Sequence, residues 1–393
     1  MLTGFKTIDP NTGNANDLGE RYLTKDYMLD AYPNLIPGMN PSGLWSFGYN
    51  GFGQLGNDTR INYSSPIQVG SLTNWKQVTC GRYHSAAIKT DGTLWAFGDN
   101  YSGQLGNGTT IKYSSPIQIG SLTNWKQVAT GFYHTVAIKT DGTLWAYGNS
   151  GYGQLGNGTT NSYSSPIQIG SLTNWKQVAC GYRYSLAIKT DGTLWAFGDN
   201  YSGQLGNGTT IKYSSPIQVG SLTNWKQVAT GFYHSAAIKT DGTLWGCGYN
   251  GFGQLGNGTT DSYSSPIQIG SLTNWKQVAT GFYHIVAIKT DGTLWSFGKN
   301  WQGQLGNSTI DNYSSPIQIS SLTNWKQVAC GIDNTVAIKT DGTLWGCGYN
   351  GFGQLGNGTT DSYSSPIQIG NLTNWKFIYA GRNNNFVISA LYL

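Results

Sequence analysis

The sequence predicts an all-β fold: a closed ring of seven four-stranded sheets, a β-propeller, with a short and partly helical N-terminal extension. Three observations predict it. A unit of 50 residues recurs along nearly the whole chain. Inside each unit, apolar stretches of strand length alternate with turn signals. The two ends of the repeat array carry complementary half-units.

The period is read from two phrases. "GQLG" begins at residues 53, 103, 153, 203, 253, 303 and 353, and "NWK" at 74, 124, 174, 224, 274, 324 and 374, with no interval departing from 50. Only 10% of residues are charged, beside 56 Gly, 25 Tyr and 15 Trp. That mixture suits tight turns between aromatic-rich strands and suits neither a helical nor a disordered chain.

Each unit reads as four strands. "NWKQVAT" (124–130) alternates polar and apolar residues and is the first. Gly131 ends it, and "HTVAIKT" (134–140) follows as the second. Asp141 and Gly142 supply a tight hairpin. The third strand is of the "LWAFG" type, 94–98 in the preceding unit. A long Gly- and Asn-rich loop leads to "SSPIQIG" (114–120), whose proline suits a sheet edge. The first three strands are apolar on both faces: Leu94 and Ala96 point one way, Trp95 and Phe97 the other. A sheet buried on both faces has to sit between two neighbours. The fourteen repeated tryptophans, two per unit, are expected in that packing.

The array opens with third-strand material, "GLWSFG" (43–48), and closes with first- and second-strand material at 374–380 and 386–390. Either half alone would expose an apolar face and an unpaired edge. Joined, they make the seventh sheet and close the ring. The chain therefore divides into residues 1–42, an anchoring or docking segment, and 43–393, the propeller.

The phrases "DGTLWAFGDNYSGQLGNGTT" (91–110), "SSPIQIG" (114–120) and "VATGFYHSAAIKT" (228–240) together resemble the repeat of RCC1-like (regulator of chromosome condensation) propellers. The resemblance extends over 43–393. It also implies guanine-nucleotide exchange, which the family's best-known member performs with a β-hairpin insertion and a basic tail. Units of constant length and an acidic leader leave no place for either, so exchange is not expected.

Net charge is +5, but residues 1–42 carry a balance of −2, and thirteen of the remaining positive charges are lysines recurring around the ring. The concentrated basic stripe of a nucleic-acid binder is missing. No run approaches the roughly 18 apolar residues of a membrane span, and "MLTGFKTIDPNTG" lacks the order of a signal peptide. Neither nucleic acid nor membrane is expected as a partner. The five cysteines, Cys80, Cys180, Cys247, Cys330 and Cys347, fall at two repeat registers without CxxC spacing and read as buried free thiols.

His84, His134, His234 and His284 share one register. Neighbours around a seven-bladed disc lie too far apart to share an ion tetrahedrally, so bracing of loops is expected instead. Asp91 and its equivalents read as turn formers, and most copies of the "GDNYSG" loop lack the acids of a calcium loop. No Gly-x-Ser-x-Gly elbow, phosphate loop or Cys/His pair occurs. The chain is not expected to be an enzyme, and no catalytic residue, metal or cofactor is assigned.

Variation between units is confined to the loop after the first strand ("GRYHS" 81–85, "GFYHT" 131–135, "GIDNT" 331–335) and the loop after the third ("YNGFG" 49–53, "DNYSG" 99–103, "KNWQG" 299–303), with a second patch at 60–62. In an antiparallel blade both loops emerge at the same end. The variation is therefore expected on one face of the disc, where loops on a rigid scaffold carry recognition. Candidate binding residues there are Tyr83, Tyr101, Phe132, Tyr133, Tyr152, Tyr201, Tyr233, Tyr283 and Trp301. Aromatic and amide groups with little charge suit a glycan or a protein surface.

"DLGERYLTKDYMLDAYP" (17–33) reads as a short helix stopped by Pro33, with Leu23, Tyr27, Met28 and Tyr32 as attachment residues. The segment looks like the leader of RCC1-repeat proteins of tailed phages. That resemblance implies a virion protein, such as a tail fibre, appendage or decoration. Residues 1–42 would hold other virion proteins, and the variable face would meet a host-surface glycan or protein, with oligomers arising through assembly. The alternative is a scaffold or lectin-like module in the bacterial cytoplasm.

Overall fold

A computed structural model describes residues 7–8, 15–16 and 43–389. All strands within 43–389 fall into seven four-stranded antiparallel sheets. Blade 1 comprises Trp75–Cys80, His84–Lys89, Leu94–Gly98 and Tyr113–Gln118, paired in that order. Blades 2 to 6 repeat it at intervals of 50 residues. Blade 7 joins Trp375–Ala380 and Asn384–Ser389 to Leu44–Gly48 and Tyr63–Gln68. Leu44 faces Ile388 and Gly48 faces Asn384 across that joint. In the N-terminal segment, Thr7–Ile8 pairs antiparallel with Ala15–Asn16. No helix occurs among the described residues, and the one expected over 17–33, with Leu23, Tyr27, Met28 and Tyr32, lies outside them.

The burial of each strand follows its place in the blade. Second strands are buried throughout, as in "HTVAIK". In the third strand Leu94, Ala96 and Phe97 are fully buried and Trp95 half-buried. The first strand departs from the expectation of burial on both faces. Trp75 and Val78 are buried, whereas Gln77, Thr79 and Cys80 are half-exposed, because the first strands of all blades line a central cavity. The cysteines divide accordingly. Cys247 and Cys347 are buried free thiols, but Cys80, Cys180 and Cys330, also expected to be buried, are half-buried on the cavity wall. No further sheet lies beyond them there.

The tryptophans divide too. Trp125 packs between blades against Ala86, Ile88 and Leu94. Trp145 meets it edge-on at 6.1 Å and is half-buried. Lys139 Nζ sits 3.5 Å from the Trp145 ring centroid, a cation–π contact that buries the lysine stem. The turn beside it is built as expected: Asp141 Oδ1 accepts from Thr143 N at 2.9 Å and from Thr143 Oγ1 at 2.7 Å. The Thr143 hydroxyl accepts in turn from Trp145 Nε1 at 2.8 Å. Each recurring aspartate is occupied by its own turn.

Neighbouring blades are tied at both radii. Near the rim, Gly108 N donates to Ser164 O of the next blade at 2.8 Å, and Gly358 N closes the circle on Ser64 O at 2.7 Å. Gly106, at φ +80°, lies so close to the Tyr147 ring of the next blade that a Cβ would come within 2.6 Å. The "GQLGNG" phrase is therefore a strap over the following blade. At the centre, Gln77 acts as a surrogate strand: its Nε2 donates to Val128 O at 3.0 Å and its Oε1 accepts from Val128 N at 3.2 Å. The same pair of hydrogen bonds recurs at Gln127, Gln227, Gln277 and Gln327. In blade 7 the position is Phe377, which has no amide, so the closing junction lacks this clamp. With a net value of about 1 kcal/mol per hydrogen bond, Gln77→Ala is expected to cost about 2 kcal/mol. A shift of the urea midpoint at unchanged m-value checks it, and an unshifted midpoint refutes the clamp.

Candidate functional site: the variable face

The two variable loops meet on one face. Asp99 N donates to Tyr83 O at 2.7 Å, Asn149 N to Tyr133 O at 2.8 Å and Lys299 N to Tyr283 O at 2.9 Å, so the loop after the first strand supports the loop after the third. At the other end the uniform turns bond one another, with Trp125 N donating to Gly92 O at 3.0 Å. The disc therefore has one varied face and one monotonous face.

A recurring buried frame holds the varied loops, with asparagine at the Asn100 position in six blades and Ser150 in the other. Asn100 is wholly buried: its Oδ1 accepts from Leu105 N at 2.9 Å, and its Nδ2 donates to Thr109 O at 3.0 Å and Ile111 O at 2.9 Å. Beneath it runs a histidine relay. Thr135 Oγ1 donates to Gln104 O at 2.9 Å, and His84 Nε2 lies 3.1 Å from the same hydroxyl. Since the hydroxyl proton is committed to Gln104, the imidazole must donate from Nε2, leaving Nδ1 bare. His134 meets Ser185 Oγ at 3.0 Å and His284 meets Thr335 Oγ1 at 3.2 Å in the same way. Gly81 is required below the ring, for a Cβ there would stand 2.4 Å from His84 Cε1. These contacts bind blade to blade, the bracing expected of the histidines, at three of the four; both ring nitrogens of His234 are buried without a partner. Among the described residues no group of three or more His, Cys, Asp or Glu side chains could hold a metal ion.

The residues anticipated for binding separate into two sets. Tyr101, Tyr201 and Trp301 project from loops of blades 1, 3 and 5, with exposures of 81%, 85% and 57%. Tyr83, Phe132, Tyr133, Tyr152, Tyr233 and Tyr283 are half-buried in the floor between loops. Phe52 stacks on Tyr83 at 4.3 Å, and Trp301 meets Phe252 edge-on at 5.2 Å. The projecting aromatics stand on separate blades, so the nine residues form no single pocket.

At the axis is a group that the sequence reading missed. The residue after each strand-ending glycine is Arg82, Phe132, Tyr182, Phe232, Phe282, Ile332 or Arg382. Phe132 and Phe282 are three blades apart, yet their centroids lie 5.6 Å from each other, and Phe232 stacks on Phe282 at 3.8 Å. These rings plug the mouth of the central cavity, whose volume is about 360 Å³. The signal was present in the common register of the seven residues. Only Phe132 was taken from it, because nothing local shows that the register points to the axis.

Charge on this face is sparse and includes two ion pairs. Lys112 bridges Asp99 at 3.1 Å and Lys299 bridges Asp333 at 3.1 Å. Gln104 Nε2 also binds Asp99, at 2.9 Å, so this carboxylate is already engaged. Arg183 lies over the Tyr152 and Tyr182 rings at 4.2 and 4.3 Å.

The family profile of the RCC1-like domain matches residues 123–388, and the RCC1 repeat matches 42–88 and 91–138. No curated protein sequence matches the chain. Among solved structures, human WBSCR16 superposes with TM-score 0.81 at 21% identity, over 90% of this chain and 100% of that one. Prp20p from Saccharomyces cerevisiae, described with its binding to Gsp1p and histones, gives 0.80 at 19% identity over 93% and 95%. Yeast RCC1 (Prp20) bound to Kap60 gives 0.81 at 20% identity over 92% of each chain. Identities this low carry the fold alone. The profile match over more than half of the chain carries the family: this protein belongs to the RCC1-like domain family.

Proposed function

We propose that this chain is a non-catalytic binding scaffold of a tailed-phage virion, serving as tail fibre, appendage or decoration. In this reading residues 1–42 attach to other virion proteins, and the variable face meets a host-surface protein or glycan. The observation that carries the binding part is the inequality of the two faces. One repeats the same Asp-Gly turn in six blades, while the other displays unlike aromatic loops on a rigid buried frame. The binding of Prp20p to Gsp1p and histones is a precedent for protein partners on this fold. The virion part is supported by the likeness of the leader to phage RCC1-repeat leaders. It is also supported by the near identity of the units, as in genes that duplicate and exchange binding surfaces.

Mass spectrometry of purified particles tests the virion part, and absence of the chain from them overturns it. On a glycan or surface-protein array, Trp301→Ala and Tyr133→Ala are each expected to lower the signal about tenfold, the loss of an aromatic anchor. Unchanged signals in both would remove the face from recognition. A second reading, a lectin-like module of a bacterial cell, is favoured by the exposed Tyr101, Tyr201 and Trp301, which need no particle. Array binding together with absence from particles selects it.

A further inference from the structure

Two of the seven residues around the axial plug break its apolar character, and they are neighbours. Arg82 of blade 1 and Arg382 of blade 7 flank the closing junction. Arg82 Nη1 donates to the Tyr133 hydroxyl, and Arg382 Nη1 donates to the Tyr83 hydroxyl at 3.1 Å. Both guanidinium groups lie near the same aromatic ring, with Cζ 4.7 and 5.5 Å from the centroid of Tyr83. The Nε atoms of both are buried without an acceptor. The ion pairs among the described residues are Lys112–Asp99 and Lys299–Asp333, so neither arginine has a carboxylate partner. Burial, and then the charge of Arg82, weaken the hold of Arg382 on its proton. Two like charges beside a hydrophobic plug are costly to keep unless something opposite in charge visits them.

We infer that Arg82 and Arg382, with the Tyr83 and Tyr133 rings, form a site for the carboxylate of an acidic sugar at the mouth of the axial cavity. The inference rests on the recognition reading of the variable face. A carboxylate is planar and accepts from guanidinium N–H groups in pairs, a geometry that Arg satisfies and Lys does not. Each arginine donates one Nη1–H to a tyrosine hydroxyl, which orients it and leaves further donors. The rest of the ligand is specified by what surrounds the pair. Tyr83 and Phe52 form a stacked aromatic platform, and Phe132 borders Arg82 at 5.5 Å. A sugar ring lays its C–H face on such a surface while its carboxylate reaches the arginines. An acidic peptide shares the carboxylate but has no flat C–H face to lay on the platform.

The experiment titrates the full chain with sodium glucuronate, N-acetylneuraminate, glucose and tri-glutamate, followed by calorimetry and saturation-transfer NMR. Binding of either acidic sugar but not of glucose is expected, weakening as salt rises. Arg82→Gln and Arg382→Gln are each expected to reduce affinity about tenfold, the scale of a charge-assisted hydrogen bond. Arg82→Lys is expected to recover only part. Near-UV circular dichroism confirms that each variant is folded. Equal binding of glucose and glucuronate, equal affinity in the arginine variants, or no binding of any sugar overturns the site. Arginine-dependent binding of tri-glutamate alone overturns the sugar assignment. If array binding depends on Trp301 and not on the arginines, recognition by the face stands and this inference falls.

Discussion

Acidification from pH 7 to pH 4 is expected to unfold the ring before its turn aspartates titrate. His84, His134, His234 and His284 are fully buried, and burial lowers each imidazole from the usual 6.5 to about 3. His134 feels His84 in addition, and His284 feels both His234 and Lys299, all in the same direction. A second proton on His84 would sit at Nδ1, which is buried without a partner. The unfolded chain binds these protons near pH 6.5 and the native ring does not. Stability is therefore complete above that pH and is lost as pH falls from about 6.5 towards 3. The ceiling is about 1.4 kcal/mol per pH unit for each imidazole, or about 5 kcal/mol for the four. Domains commonly hold about 5–15 kcal/mol, so one to three units exhaust it.

The turn aspartates do not contribute in this window. Asp91 and its equivalents are lowered from 3.8 by hydrogen bonds from threonine, so their stabilisation is lost only further down. Urea midpoints measured between pH 7 and pH 4 check the slope. His134→Asn, which installs the residue found at 334 and 384, should remove about a quarter of it, since the four imidazoles contribute alike. Native imidazole C–H resonances titrating near pH 6.5, or a midpoint independent of pH, would sink the prediction.

Removing residues 374–393 is expected to abolish the cooperative fold. Leu44–Gly48 is buried along its whole length and pairs with Asn384–Ser389 on one side and Tyr63–Gln68 on the other. Without the C-terminal strands it becomes an apolar edge, open to aggregation. The damage spreads to blade 1, because Phe386 and Ile388 complete a core with Val69, Trp75 and Phe97. Deletion of 1–42, by contrast, should leave the melting transition in place, since the seven blades are made within 43–389. Loss of soluble protein and of the near-UV tryptophan signal checks the truncation. A soluble, cooperatively melting fragment would show that closure is dispensable.

A permutant separates loss of chain continuity from loss of the strands. Ser389 N donates to Gly43 O at 3.2 Å, as Lys89 N donates to Thr93 O at 3.1 Å in blade 1. A Thr-Asp-Gly insert between Ser389 and Gly43 should therefore rebuild the ordinary turn. With new ends between Gly120 and Ser121 and residues 1–42 and 390–393 omitted, the chain is expected to fold to the same ring. Failure to fold would mean that covalent linkage at 120–121 does more than the ladder of blade 7.

Much of this architecture is local and was legible. The 50-residue period, the turn at Asp141, the edge proline and the complementary half-units each follow from short-range chemistry repeated many times. The placement of both variable loops on one face follows as well, because antiparallel connectivity leaves no alternative. What was not legible concerns the radial direction. Cys80 and Gln77 look like residues of a sandwiched strand, yet only closure places the first strand against a cavity. Phe132 looks like one loop aromatic among several, yet the ring turns its register towards the axis.

The sequence by itself determined which segments are strands, how they pair within a blade, and that the chain ends must meet. Only the tertiary structure decided which side chains converge on the axis, and so that Arg82 and Arg382, some 300 residues apart, share one aromatic neighbour. The reason is that strand periodicity specifies the face a residue takes, while distance from the centre depends on how many blades close the circle.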